Sequence, residues 1–236
     1  MPDDGDGEPH PVAVVIHGGF WRARYGRKLM RPLCQDLAER GWAAWNLEYR
    51  RLGHGSGGGW PTTFGDVACA IDHLAEIRTD AALDLSRVVA IGHSAGGHLA
   101  TWAAARPRLP EGAPGWAPRV RVGAAVAQAG VVDLKLAWDL RLSDGVVGDL
   151  LGGGPDEHPI RYRLASPVEL VPLGVPVLLT HGGRDDIVPP PVSASFAEAA
   201  RAAGDDVSVV ELPDEDHFGH IDPANPLWKA VLEWLG

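Results

Sequence analysis

Short, mostly apolar runs recur along the chain, separated by longer stretches in which apolar positions return every three or four residues. The runs fall at 12–16, 42–49, 87–91, 123–128, 177–180 and 207–212. Compact runs of this length, bounded by glycine or proline, predict strands. Helical spacing between them predicts helices over 28–40, 64–78, 95–105, 192–203 and 227–234. Val67, Ala70, Ile71 and Leu74 share one face of the second of these. A strand that is apolar at every position, not at alternate ones, is covered on both sides. The pattern therefore predicts an α/β fold, a mostly parallel sheet of about six strands with helices on both faces.

The 236 residues contain no internal repeat and are read as one domain over 1–236. Two connections are long. Residues 54–59 form a glycine-rich stretch (HGSGGG), and 133–176 separate two predicted strands. An insertion of the second length is usually functional, and it is expected to form a small cap carrying a short helix over 134–142. The acidic, proline-rich residues 1–10 are expected to be poorly ordered. They lack the basic start and apolar core of a secretory signal, and no apolar run approaches a membrane span, so a cytoplasmic location is expected.

Twenty-one Lys and Arg against thirty-one Asp and Glu give a net charge of −10, which argues against a nucleic-acid partner. The one basic cluster, 22–31, reads as the exposed face of a helix. Cys34 and Cys69 belong to no CxxC and read as free thiols; no metal site or cofactor is expected.

The chemistry is concentrated in loops that follow predicted strands. Gly92-His93-Ser94-Ala95-Gly96 is a G-x-S-x-G pentapeptide lying between the strand 87–91 and the helix 95–105. In that setting the serine occupies a strained strand-to-helix turn with its hydroxyl free to attack. The oxyanion formed by such an attack needs pre-aimed donors. The backbone N–H of Ala95 is one candidate, and those of Gly19 and Phe20, in the His17-Gly18-Gly19-Phe20-Trp21 loop, are the others.

A serine nucleophile needs an imidazole base oriented by a carboxylate, in the chain order Ser, Asp or Glu, His. Two aspartates stand after the strand 177–180. Asp185 is favoured over Asp186 because H-G-x-x-D-x-x-V-P sets the acid four residues before the proline. Two histidines follow the strand 207–212. His217 is nearer the strand end than His220 and is preferred. Trp21, His93, Trp60 and Trp138 are candidate walls of a substrate pocket, and the remaining histidines read as structural.

HGGFW (17–21), GHSAGGHLA (92–100), HGGRDDIVP (181–189) and DHFGHIDP (216–223) together resemble the α/β-hydrolase superfamily, and within it the esterase and arylformamidase branch related to kynurenine formamidase. The resemblance spans the chain from about Val12. It implies a Ser94–His217–Asp185 triad with Gly19, Phe20 and Ala95 as the oxyanion hole, cleaving a small ester or activated amide without a cofactor. An arylformamidase, a prolyl-oligopeptidase-like peptidase and a non-catalytic hydrolase-fold binding protein are the alternatives. The superfamily usually places two antiparallel strands ahead of the HGG strand. Here only 1–11 precede it, so the sheet is reduced or the start lies upstream. An exposed sheet edge in the reduced case allows a homodimer as well as a monomer.

Overall fold

In the computed structural model, which describes residues 1 and 8–236, six parallel strands form one sheet. They are β1 (His10–Ile16), β2 (Ala43–Leu47), β3 (Leu83–His93), β4 (Ala124–Gln128), β5 (Val177–Gly182) and β6 (Val207–Leu212). Their order across the sheet is β2-β1-β3-β4-β5-β6. The direction of winding therefore reverses between β1 and β3. In open α/β sheets, sites form in the crevice beyond the carboxyl ends of the strands at such a reversal. The HGG loop leaves β1 and Ser94 leaves β3 at that point.

Alternation along the strands divides the core in two. Val12, Val14 and Ile16 of β1 join Val88 and Ala90 of β3 on one face, while Ala13, Val15, Val89 and Ile91 face the other. The second face is covered by α1 (Arg31–Glu39) through Leu33 and Leu37 and by the C-terminal helix, α9 (Pro226–Leu235), through Trp228 and Val231. The first is covered by α2 (Thr62–Asp72), α4 (Ala95–Ala105) and α8 (Pro191–Ala202).

Several boundaries differ from the sequence reading. The helix expected over 64–78 breaks at His73 into α2 and a single turn, α3 (Leu74–Ile77). β1 already includes His10, so of the expected loose segment 1–10 only part lacks regular structure; residues 2–7 lie outside the described residues. β3 begins four residues early and pairs with β1 through a register shift between Pro11 and Val12. The basic cluster is only partly helical: Arg27–Met30 make a 3-10 turn before α1, whereas Arg22 and Arg24 lie in the preceding loop.

The insertion after β4 holds more helix than expected: α5 (Leu134–Asp139), α6 (Leu142–Leu151) and α7 (Pro159–Ala165), then a 3-10 turn at Pro167–Leu170. Asp133 caps α5 by accepting from Leu136 N–H at 2.9 Å and accepts from Ser195 Oγ of α8 at 2.6 Å. His98 and Trp102 of α4 donate to the carbonyls of Ala165 and Leu164 at 2.9 and 3.1 Å. The insertion is thus fastened to the helix that begins at Ser94.

All of α4 is buried, and it crosses β1 at close range. A Cβ on Gly96 would overlap the carbonyl oxygen of Ile16, the last residue of β1. The Gly96→Ala variant is therefore expected to lose about 3 kcal/mol of stability, the upper end of the overpacking range, measured by urea unfolding. An unchanged unfolding midpoint would contradict this account of the packing.

Candidate active site

Ser94 sits between β3 and α4 at φ 57°, ψ −119°, outside the conformations that a non-glycine residue adopts readily. It is held there from both sides. Its N–H donates to Gln128 O at 2.8 Å, and its carbonyl accepts from His98 N–H at 3.1 Å and Val131 N–H at 3.3 Å. Strain of this kind persists where the surroundings over-determine it, and it clusters at functional sites. The N–H of Ala95, the first of α4, donates to no described residue, and the helix end there favours negative charge.

The loop after β1 lies against this turn. Gly18 packs beside His93 and Ser94, and Gly19, Phe20 and Trp21 all have positive φ (103°, 50° and 55°). Three such residues in succession fold the strand end back on itself, closed by Arg22 N–H donating to Gly19 O at 3.0 Å. The N–H groups of Gly19 and Phe20 donate to no described residue, as donors reserved for a ligand would.

The acid and base come from the ends of β5 and β6. A Cβ on Gly182 would overlap the carbonyl of Glu215, so glycine is what lets the two loops approach. His217 Nδ1 then meets Asp185 Oδ2 at 2.7 Å, both residues being buried. Asp185 Oδ1 accepts from the N–H groups of Ile187 and Val188 at 2.9 and 2.8 Å. Burial alone would raise the Asp185 pKa. Hydrogen bonds from His181 and His217 and the backbone overcome it and hold the carboxyl well below the usual carboxylate range. An ionised carboxylate only accepts, so Nδ1 of His217 carries the proton and Nε2 is left as the base. Asp186 is exposed, and His220 is buried with Nδ1 3.1 Å from Thr180 Oγ1. Of the competing pairs, Asp185 and His217 are the two brought together. Among the described residues Ser94 Oγ has no hydrogen-bond partner, and bonds of a catalytic serine commonly form or tighten only with substrate bound.

The expected pocket walls are placed differently. Trp21 is fully buried, edge-on to His98 at 5.2 Å, and belongs to the core. His93 Nε2 donates to the carbonyl of His217 at 2.8 Å, and its ring lies 4.5 Å from that imidazole, so it supports the base from behind. Trp60 packs on Phe64 at 5.1 Å and its N–H donates to Leu150 O of α6, tying the glycine loop to the insertion. Trp138 packs between Gly148 and Gly154 and lines a cavity of about 860 Å³ whose lining includes neither Ser94 nor His217. Phe218, 59% exposed, lies edge-on to His217, and half-buried Phe20 stands in the HGG loop.

Sequence reading missed one network. His17 Nε2 lies 2.7 Å from Glu48 Oε1, its Nδ1 lies 2.8 Å from Gly18 O, and its ring stacks on Tyr49 at 4.4 Å. The Tyr49 hydroxyl donates to His17 O at 2.9 Å. Burial opposes ionisation of Glu48, but the His17 contact, Arg27 N–H and Arg51 bring its pKa down to about 2. A carboxylate at the end of β2 thus anchors the residue that begins the HGG loop. No local motif marks Glu48; only the pairing of β1 with β2 brings it there.

Comparisons with known proteins identify the relatives of this chain. The BD-FAE family model matches residues 1–200. The chain is similar to the esterase LipQ of Mycobacterium tuberculosis, with 30% identity over 243 residues, covering 100% of this chain and 57% of LipQ. The esterase LipC of the same organism is 30% identical over 251 residues, covering 97% of this chain and 58% of LipC. The chain thus spans little more than half the length of these relatives. Among solved structures, butyrate-bound esterase Est2 of the planctomycete Thermogutta terrifontis aligns with a TM-score of 0.77 at 25% identity, covering 99% of this chain and 84% of that one.

Two outcomes test the site. Glu48→Gln keeps the shape of the anchor but removes its charge, an exchange of a charge-assisted for a neutral hydrogen bond. It is expected to slow modification of Ser94 by a fluorophosphonate about tenfold, equivalent to about 1.4 kcal/mol. Unchanged labelling kinetics would remove Glu48 from the site.

The second concerns pH. Burial pushes the His93 pKa down to about 3 and that of His98 to about 4, and holds His220 well below the ordinary range. In the unfolded chain these imidazoles titrate near 6.5. Below that pH the unfolded state binds protons that the folded state refuses, so stability falls as pH drops. At pH 5 the loss is about 2 kcal/mol for each of His93 and His98, read as a lower urea midpoint than at pH 7. Depression of the Asp185 pKa acts in a separate window, its stabilisation being lost only below about pH 4. Equal stability at pH 7 and pH 5 would show that the imidazoles are not held neutral.

Proposed function

The chain belongs to the BD-FAE family, and from that premise we propose that it is a carboxylic ester hydrolase acting through an acyl-enzyme on Ser94. The observation that carries this reading is the buried His217–Asp185 pair, set beside His93 at the turn where Ser94 is held in its strained conformation. A module that only binds ligands has no use for an ionised carboxylate fixing the tautomer of a second buried side chain.

In this reading Ser94 Oγ attacks the ester carbonyl while His217 Nε2 takes its proton. The imidazolium is stabilised by Asp185, and the oxyanion by the N–H groups of Ala95, Gly19 and Phe20. Collapse breaks the bond to the alcohol, which leaves with the proton from His217. Water then gives a proton to His217 and attacks the acyl-enzyme, and the second collapse releases the carboxylic acid and returns the proton to Ser94. The likeness to an esterase solved with butyrate supports small acyl groups.

An arylformamidase is the second reading. It draws on the aromatic pair after HGG and on the HF-x-x-I-D-P ending, and the same triad would release formate from an N-formyl arylamine. The esterases LipQ and LipC favour the ester.

Hydrolysis of 4-nitrophenyl acetate, butyrate and octanoate, beside N-formylkynurenine, tests both readings. We expect kcat/KM to be highest for the short esters and kcat to drop at least a thousandfold in Ser94→Ala. A Ser94→Ala enzyme with full activity would end the acyl-enzyme reading. Preference for N-formylkynurenine would exchange the ester for the formamide.

A further inference from the structure

The loop that carries the oxyanion donors continues into a groove of about 470 Å³ lined by Arg24, Tyr25, Arg27, Lys28, Glu48 and Arg51. Four cations face one carboxylate here, in a chain whose net charge is −10. That carboxylate is already committed. Glu48 binds His17 at 2.7 Å, accepts from Arg27 N–H at 3.2 Å and lies 3.6 Å from Arg51 Nε. Arg51 also donates to the Tyr25 carbonyl. Among the described residues, the side chains of Arg24, Arg27 and Lys28 form no ion pair, and Arg24 has only the Tyr25 ring beneath it, at 5.6 Å.

Tyr25 links the groove to the site. Its side chain lies against Gly19 and fills the space that a side chain there would take, and Tyr25 also lines the groove. A ligand seated at Ser94 and extending past Gly19 along Tyr25 meets uncompensated guanidinium and ammonium groups. These suit a carboxylate, which the planar fork of arginine receives with two hydrogen bonds.

We infer that the preferred substrates are esters carrying a second, ionised carboxylate, which binds in the Arg24–Arg27–Lys28 groove while the ester carbonyl lies at Ser94. The inference rests on the ester-hydrolase reading above. The carboxylate can stand on the acyl side or the alcohol side of the ester, and the substrates chosen for the test separate these.

The experiment pairs 4-nitrophenyl hydrogen glutarate with 4-nitrophenyl valerate for the acyl side, and 4-acetoxybenzoate with phenyl acetate for the alcohol side. Wild type, Arg24→Glu, Lys28→Glu, the double variant and a distant control, Lys229→Glu, are compared. For the anionic member of one pair, each groove variant should lower kcat/KM about tenfold and the double variant about a hundredfold. The neutral member and the Lys229→Glu enzyme should stay within twofold of wild type. The wild-type advantage for the anion should shrink between 25 and 500 mM NaCl, as expected for exposed charges.

Binding of glutarate to wild type and the double variant, followed by calorimetry, gives a readout that needs no turnover. If wild type hydrolyses no ester, the function reading fails, and loss of glutarate binding in the double variant still upholds the groove. The inference is overturned if anionic and neutral esters respond alike to charge reversal. It is equally overturned if glutarate binds both proteins to the same extent or neither.

Discussion

The close approach of α4 to β1 is the constraint from which the site is built. Gly96 leaves room for the helix to rest on the carbonyl of Ile16, which draws the N-terminus of α4, Ser94 and the loop after β1 to one point. That point is the reversal of strand order, where the carboxyl ends of β1 and β3 diverge and leave a crevice. In the proposed mechanism Ala95, Gly19 and Phe20 act on a single oxygen, which requires that two elements distant in sequence share this contact. A displacement of about 1 Å between them is the kind of error that costs a hundredfold in rate. The left-handed geometry of Ser94 belongs to the same arrangement, since a relaxed turn would carry α4 away from β1.

Behind the serine stands a layer of imidazoles whose ring nitrogens are largely assigned by their partners. Asp185 takes the proton-bearing Nδ1 of His217, His93 donates to the His217 carbonyl, and His181 lies between Ser193 Oγ and the carbonyl of Val188, 3.4 Å from Asp185. Burial keeps His93 and His220 neutral. This matters for the proposed chemistry, because a cation at His93 would oppose the imidazolium that His217 becomes when it takes the serine proton. The layer costs stability at low pH and gives, at neutral pH, a base whose orientation and charge are set before substrate arrives. The unpartnered Nε2 of His220 and Oε1 of Gln128 lie in the same layer.

Much of this was legible in the sequence, for identifiable reasons. The central strands, buried on both faces, show as apolar runs, and the edge strands β2 and β6 as shorter, interrupted ones, so all six were found, together with the parallel sheet. The residues of the candidate triad sit at strand ends in short motifs, and the choices of Asp185 over Asp186 and His217 over His220 agree with the contacts observed. What failed was whatever depends on side-chain direction or on pairing between distant segments. Trp21 and His93 occupy the expected loops but turn into the core and toward His217, which no spacing rule conveys. Glu48 was passed over because its meaning comes from β1–β2 pairing. The insertion was under-read because its helices are short, and α6 starts through the left-handed residues Ser143, Asp144 and Gly145, which blur its period.

The charge of the chain shows how composition and site can carry different information. A net charge of −10 describes the average surface, yet at physiological ionic strength exposed charges act over only about 8 Å. What a substrate meets near Ser94 is set by the few groups within that range. Beside Tyr25, whose ring packs on Gly19, the groove is lined by Arg24, Arg27, Lys28 and Arg51, with Glu48 held by His17. A substrate that extends from Ser94 past Gly19, as inferred above, would therefore meet cations, although the molecule is acidic. Glu48, which fixes the HGG loop, is turned toward His17 and Arg51, so that among the described residues the side chains of Arg24, Arg27 and Lys28 form no ion pair. Anchoring of the loop and the local positive potential thus have a common origin at the end of β2.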